Sequence, residues 1–145
     1  MRVMVLAAVI AWERGLSVQD TFMLLDACAY HDIARTHNGN DAAHGERAAQ
    51  KLPLLTSWDG DELKIVQAAV AAHSRADSKL GKMMQRYQVV DRERCREVTF
   101  ILKDADALDR VRSGDLDISY LRLPESLNKV EFAERLLDVI CQNGT

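Results

Sequence analysis

Four short stretches carry residue types suited to holding a metal ion. They are His31-Asp32 within Ala27-Cys28-Ala29-Tyr30-His31-Asp32-Ile33, His44 beside Gly45, His73 at the end of an apolar segment, and Lys103-Asp104-Ala105-Asp106-Ala107-Leu108. Neutral imidazole nitrogens and ionised carboxylate oxygens are common ligands of divalent cations. Set inside or at the ends of apolar segments, such groups are costly to bury unless something cationic satisfies them. An adjacent His and Asp can both reach one ion where the chain leaves a helix, and two further histidines from other helices suit a second. A plainer reading pairs Asp104, Asp106 and Asp109 with Lys103, Arg110 and Arg112 on a solvated helix face. It is the order of the four stretches together that favours the metal reading. His37 reads as a loop residue.

Positioning these groups requires helices, and helical spacing dominates the chain, with almost no alternating pattern of strand length. Met1 to Arg14 places Val3, Leu6 and Ile10 at helical intervals, and Gly15 stops it. Ser17 or Asp20 can cap a second helix in which Leu24, Cys28 and His31 share a face, offsets of four and seven residues returning to nearly the same angle. Asn38-Gly39-Asn40-Asp41 is a turn cluster, and Asp41 is a candidate cap for a third helix aligning His44, Ala48 and Leu55. A fourth helix, opened by Ser57 or Asp59, puts Leu63, Val66, Val70 and His73 on one stripe. From Arg75 to Val90 the pattern dissolves, predicting a long flexible connection whose Lys79, Lys82 and Arg86 form a solvated loop or, alternatively, an anion-binding lid. A fifth helix is expected from about Arg92 to Arg112 and a last one from Leu127 to Cys141.

The chain has 145 residues, 48% of them hydrophobic and 28% charged, with a formal net charge of -3. That is one domain's worth of ordinary globular sequence, with no basic excess to suggest nucleic acid. Cys28, Cys95 and Cys141 are widely spaced and odd in number, which points to a reduced, cytoplasmic setting. The apolar opening Val3 to Ile10 is too short to span a bilayer. No membrane partner is therefore expected, and an oligomer is compatible with the sequence.

Ala29-Tyr30-His31-Asp32-Ile33, His44-Gly45 followed by Ala48-Ala49, His73-Ser74, and Lys103-Asp104-Ala105-Asp106-Ala107-Leu108 together resemble the HD-domain superfamily of metal-dependent phosphohydrolases over most of the chain. The resemblance implies a compact all-α bundle of five to six main helices forming a single domain over residues 1–145. It implies metal ligands at His31, Asp32, His44, His73 and a late aspartate, taken as Asp106 with Asp104 the alternative. One or two divalent ions are expected, and Mn, Fe, Ni, Co, Zn and Mg are not distinguished. The superfamily's first histidine usually precedes an Arg-Val pair; here that pair is Arg2-Val3, so the domain is expected to be N-terminally incomplete or to lack that ligand.

The activity expected is hydrolysis of a small phosphorylated metabolite or nucleotide. Asp32 or Asp104 would orient the attacking water or take its proton, and Arg35 and Lys103 would meet the phosphate. Two rival readings remain open: a diiron oxygenase of the same superfamily, and a catalytically silent module that binds a ligand or partner.

Overall fold

The computed structural model describes residues 1–143. Its helices are α1 (Arg2–Arg14), α2 (Val18–Tyr30), α3 (His44–Leu55), α4 (Gly60–His73), α5 (Leu80–Arg86), α6 (Arg92–Leu108), α7 (Pro124–Leu127) and α8 (Val130–Asn143). Short 3-10 turns occupy Asp77–Lys79, Asp109–Ser113 and Ile118–Tyr120, and there is no strand among the described residues. The all-α expectation holds, with α5 and α7 as short additions to the six longer helices. Among the described residues, no helix is long and apolar enough to cross a membrane.

The centre of the bundle is α4, because it is apolar nearly all round: Ile65, Val66, Ala68, Ala69, Val70, Ala71 and Ala72 are all buried. A helix of that kind can only be satisfied by neighbours on every side. It contacts α2, α3, α5 and α6, while α1 packs on α2 and α6. The small alanine side chains let those neighbours approach closely, so the C-terminal end of α4, with His73, lies among other helices.

Local signals set the ends that matter. Gly15 adopts φ 71° and closes α1, its amide bonding the Trp12 carbonyl at 3.1 Å while Leu16 bonds that of Ala11 at 3.0 Å. This is a left-handed helix cap that a residue without Cβ enters at low cost. Ser17 caps α2, its Oγ accepting the Asp20 amide at 3.0 Å. That choice sets the phase that brings His31 to the inner end of the helix.

Three expectations need correction. Arg75–Val90 is not a long flexible connection: after the 3-10 turn it forms α5, with Leu80, Met83 and Met84 buried. The spacing of i, i+3 and i+4 is a one-face helical pattern too short to stand out beside the surrounding lysines, and burial of such side chains, about 1.5–3 kcal/mol each, outweighs a weak local propensity. Asp41 does not cap α3. Ala43 stands at that position, while the Asp41 carboxylate pairs with Arg47 and its carbonyl receives the His44 ring. On α3, Leu52 is buried, whereas Leu55 is 37% exposed.

Candidate metal centre

Three imidazoles meet where α2, α3 and α4 bring their ends together. His31 follows the last turn of α2, His44 opens α3, and His73 closes α4. All three are buried. Each ring is held the same way: Nδ1 of His31 lies 2.7 Å from the Cys28 carbonyl, that of His44 2.5 Å from Asp41, and that of His73 2.6 Å from Val70. A carbonyl only accepts, so each Nδ1 carries the proton and donates. In the neutral ring Nε2 is then left with a lone pair aimed inward, the tautomer that a metal-binding imidazole needs.

The Nε2 atoms converge on two carboxylates. Asp32 stands between the imidazoles, with Oδ2 3.4 Å from His31 Nε2 and Oδ1 2.9 Å from His44 Nε2 and 3.6 Å from His73 Nε2. Asp106, from α6, brings Oδ1 to 3.4 Å from His31 Nε2. Two ligands at right angles on an ion with bonds of about 2.0–2.2 Å lie about 3 Å apart, close to these separations.

The donor set fits a cation on two further observations. Among the described residues, His31 Nε2 is buried with no hydrogen-bond partner. His44 Nε2 and His73 Nε2 are only 2.9 Å apart although both rings already donate through Nδ1. Two lone pairs facing each other at that distance repel unless a positive charge accompanies them. His31, Asp32 and His73 present ligand atoms within 4.8 Å of one another.

The electrostatics agree. The neighbouring His73 imidazole, followed by the positive charge that His31, His73 and His44 would carry when protonated, holds the Asp32 carboxyl well below the usual carboxylate range despite partial burial. Partial burial pushes Asp106 upward, but the proximity of the His31 imidazole outweighs that and lowers it. Burial pushes His31 downward, and Asp106 and Asp32 outweigh that in turn, raising it, so the two carboxylates favour a positive charge at Nε2, which a proton or a metal ion would supply. The carboxylates are thus kept ionised, as ligands must be.

Gly45 allows the close seating of α3 on α4. A Cβ there would lie 2.5 Å from the Val70 carbonyl oxygen, 2.8 Å from Ser74 Oγ and 2.9 Å from His73 Nδ1. The glycine beside His44 is therefore required by the approach of the two histidines.

The remaining sequence candidates are placed differently. Asp104 is fully buried and its oxygens are occupied: they accept the Arg122 amide at 3.1 and 2.9 Å, Arg122 Nη1 at 3.0 Å and the Leu123 amide at 2.9 Å. It fastens the segment before α7 to α6, in contrast to the water-orienting role expected for it. Lys103 lines the cleft beside His73 and Asp106, but its ammonium donates to the Arg75 carbonyl at 2.6 Å and to Asp77 at 2.5 Å. Arg35 has its Nη1 3.8 Å from Asp32 and its Nε 3.2 Å from the His37 carbonyl, in a separate shallow cleft with Thr36, His37 and Asn38.

Beyond the site candidates named from sequence, Arg110, Asp115, Tyr120 and Arg122 also wall the cleft of about 340 Å³ beside His73 and Asp106. Nothing local marked them, since their roles depend on a loop folding back over α6. Arg122 is the anchor, donating through Nε to Asp77 at 2.8 Å as well as to Asp104.

A helical bundle that gathers histidine and aspartate from four separate helices, with a His-Asp doublet at its centre, defines an all-α metal-site domain. The HD domain family matches residues 1–111, and the chain belongs to it. Domains of this kind generally bind divalent metals, in a superfamily of metal-dependent phosphohydrolase type. No curated protein and no solved structure matches the chain.

Proposed function

We propose that the protein is a metal-dependent phosphohydrolase acting on a small phosphorylated metabolite or nucleotide. The supporting observation is the convergence of three inward-facing Nε2 atoms on Asp32 and Asp106, with every Nδ1 committed to a carbonyl. His31, His44, His73, Asp32 and Asp106 would hold one or two divalent ions. The chemistry such an ion supplies is Lewis acidity toward a phosphoryl oxygen and a lowered pKa for water.

The chain's own groups then have distinct tasks. The three carbonyls fix the rings so that no reorganisation is needed at the moment of reaction. Asp32, 43% exposed at its side chain and held ionised, can orient an attacking water, and its low basicity suits it to positioning rather than to keeping a proton. Arg35, beside Asp32, is the nearest cation with donors left for a phosphate oxygen, a geometry guanidinium groups favour.

The test combines elemental analysis with phosphate release from a panel of phosphomonoesters and nucleotides, for the wild type and for His31→Ala and Asp106→Ala. Expected are bound divalent metal, release of phosphate that a chelator abolishes, and loss of both in the variants. Loss of a group that merely supports a ligand costs about 10–100-fold in metal affinity or activity, so loss of a ligand should cost at least that. Bound iron with oxygen uptake and no phosphate release would instead select the oxygenase. No metal, with His31→Ala harmless, would select the silent module.

A further inference from the structure

A further cleft, of about 270 Å³, opens between α3 and α5 and is lined by Glu46, Arg75, Lys79, Lys82, Met83 and Arg86. It shares no lining residue with the cleft beside His73 and Asp106. Four cations and one carboxylate face it, a local excess of three positive charges in a chain whose net charge is -3. Such an excess needs a cause, because like charges crowded together repel.

The cations are arranged on a built frame. With α5 burying Leu80, Met83 and Met84, its opposite side presents Lys82 and Arg86, with Lys79 one turn ahead. Offsets of three and seven residues keep all three on one face. Glu46 holds the two guanidinium groups apart and in place: Oε1 accepts Arg75 Nε at 2.9 Å and Arg75 Nη2 at 2.6 Å, while Oε2 pairs with Arg86. Each guanidinium keeps N–H donors beyond those bonds. Among the described residues, no carboxylate pairs with Lys79 or Lys82.

We propose that this cleft binds a multiply charged phosphate-type anion, a diphosphate or triphosphate group, at a site separate from the metal centre. The charge excess matches an anion of two to four negative charges, and braced guanidinium groups with flanking ammonium groups offer donors to several phosphate oxygens at once. A nucleic-acid backbone is less favoured, because the excess is confined to one cleft in an acidic chain instead of running along a surface. The anion has two sources: the distal phosphates of the molecule hydrolysed at the metal centre, or a separate phosphorylated ligand.

Calorimetry with sodium pyrophosphate, in the presence of a chelator so that the metal centre contributes nothing, tests the site independently of any hydrolysis. The wild type is expected to bind one pyrophosphate, more weakly as salt rises, and Lys79→Gln/Lys82→Gln to bind about tenfold or more weaker. A raised KM with unchanged kcat in that double variant would assign the anion to the substrate's own tail. Unchanged kinetics with lost pyrophosphate binding would assign it to a separate ligand. Equal pyrophosphate binding by both proteins, or none by the wild type, overturns the proposal, as does binding of a single-stranded RNA that depends on both lysines and that pyrophosphate does not displace.

Discussion

Two clefts of this protein handle positive charge in opposite ways. Beside the metal centre every lining cation has a carboxylate of the chain itself: Lys103 meets Asp77, Arg110 meets Asp115, and Arg122 meets both Asp77 and Asp104. In the α5 cleft Glu46 answers Arg75 and Arg86, and among the described residues no carboxylate answers Lys79 or Lys82. Matched charges build walls and leave little positive potential for a ligand. The uncompensated positive charge of one cleft calls for an anion. In the other, the surplus belongs to lone pairs and calls for a cation. Lys103, expected from its position in the sequence to meet a phosphate, has its ammonium on Asp77 and the Arg75 carbonyl.

The largest effect expected on this contrast is at Asp104. Asp104→Ala leaves Arg122 and two backbone amides without their acceptor in a fully buried place, and should lower stability by about 3–5 kcal/mol in urea unfolding. A change below about 1 kcal/mol would mean that the matched wall is not structural. Next is Gly45→Ala, where the added methyl meets the Val70 carbonyl and His73. Overpacking of that kind should cost about 1–3 kcal/mol and reduce metal occupancy along with it. Full occupancy in a destabilised variant would separate the glycine's packing role from the centre.

A smaller, pH-dependent effect is expected at Asp77. Burial pushes its carboxyl upward, but the bonds from Arg122 and Lys103 win and lower it. A carboxylate depressed in the folded state contributes stability that is fully present above its unfolded pKa of about 3.9 and is lost as pH falls through the folded value. The stability gap between wild type and Asp77→Asn should accordingly be constant near neutrality and close in acid. A gap that persists through the acid limb would show that shape, not charge, is what Asp77 contributes. The smallest effect belongs to Lys79→Gln/Lys82→Gln, which should leave the unfolding free energy within about 0.5 kcal/mol of wild type, since neither lysine has an ion-pair partner to lose among the described residues.

Much of the fold was legible in the residues. Apolar periodicity marks α1, α2, α4 and α6, Gly15 and Ser17 mark a boundary, and the His-Asp doublet falls at the end of a helix as its spacing requires. What escaped was short or remote. The single turn pair Leu80 and Met83-Met84 is visible as a helix only once α4 is there to bury it. The segment through Arg122 has no periodicity, and its order comes from a carboxylate 18 residues away in sequence.

Asp104 and Asp106 show where the division lies. They are two positions apart on α6, hence about 200° apart around the helix, and their identities say nothing of which one faces the histidines. The packing of α6 against α2 and α4 turns Asp106 toward His31 and Asp104 toward Arg122. That the chain is helical and carries imidazoles and carboxylates at helix ends follows from residue type and local spacing. Which of its described charges find partners is settled by how the helices pack, because most of these ion pairs join separate elements, and the distance between two elements is not written in either one.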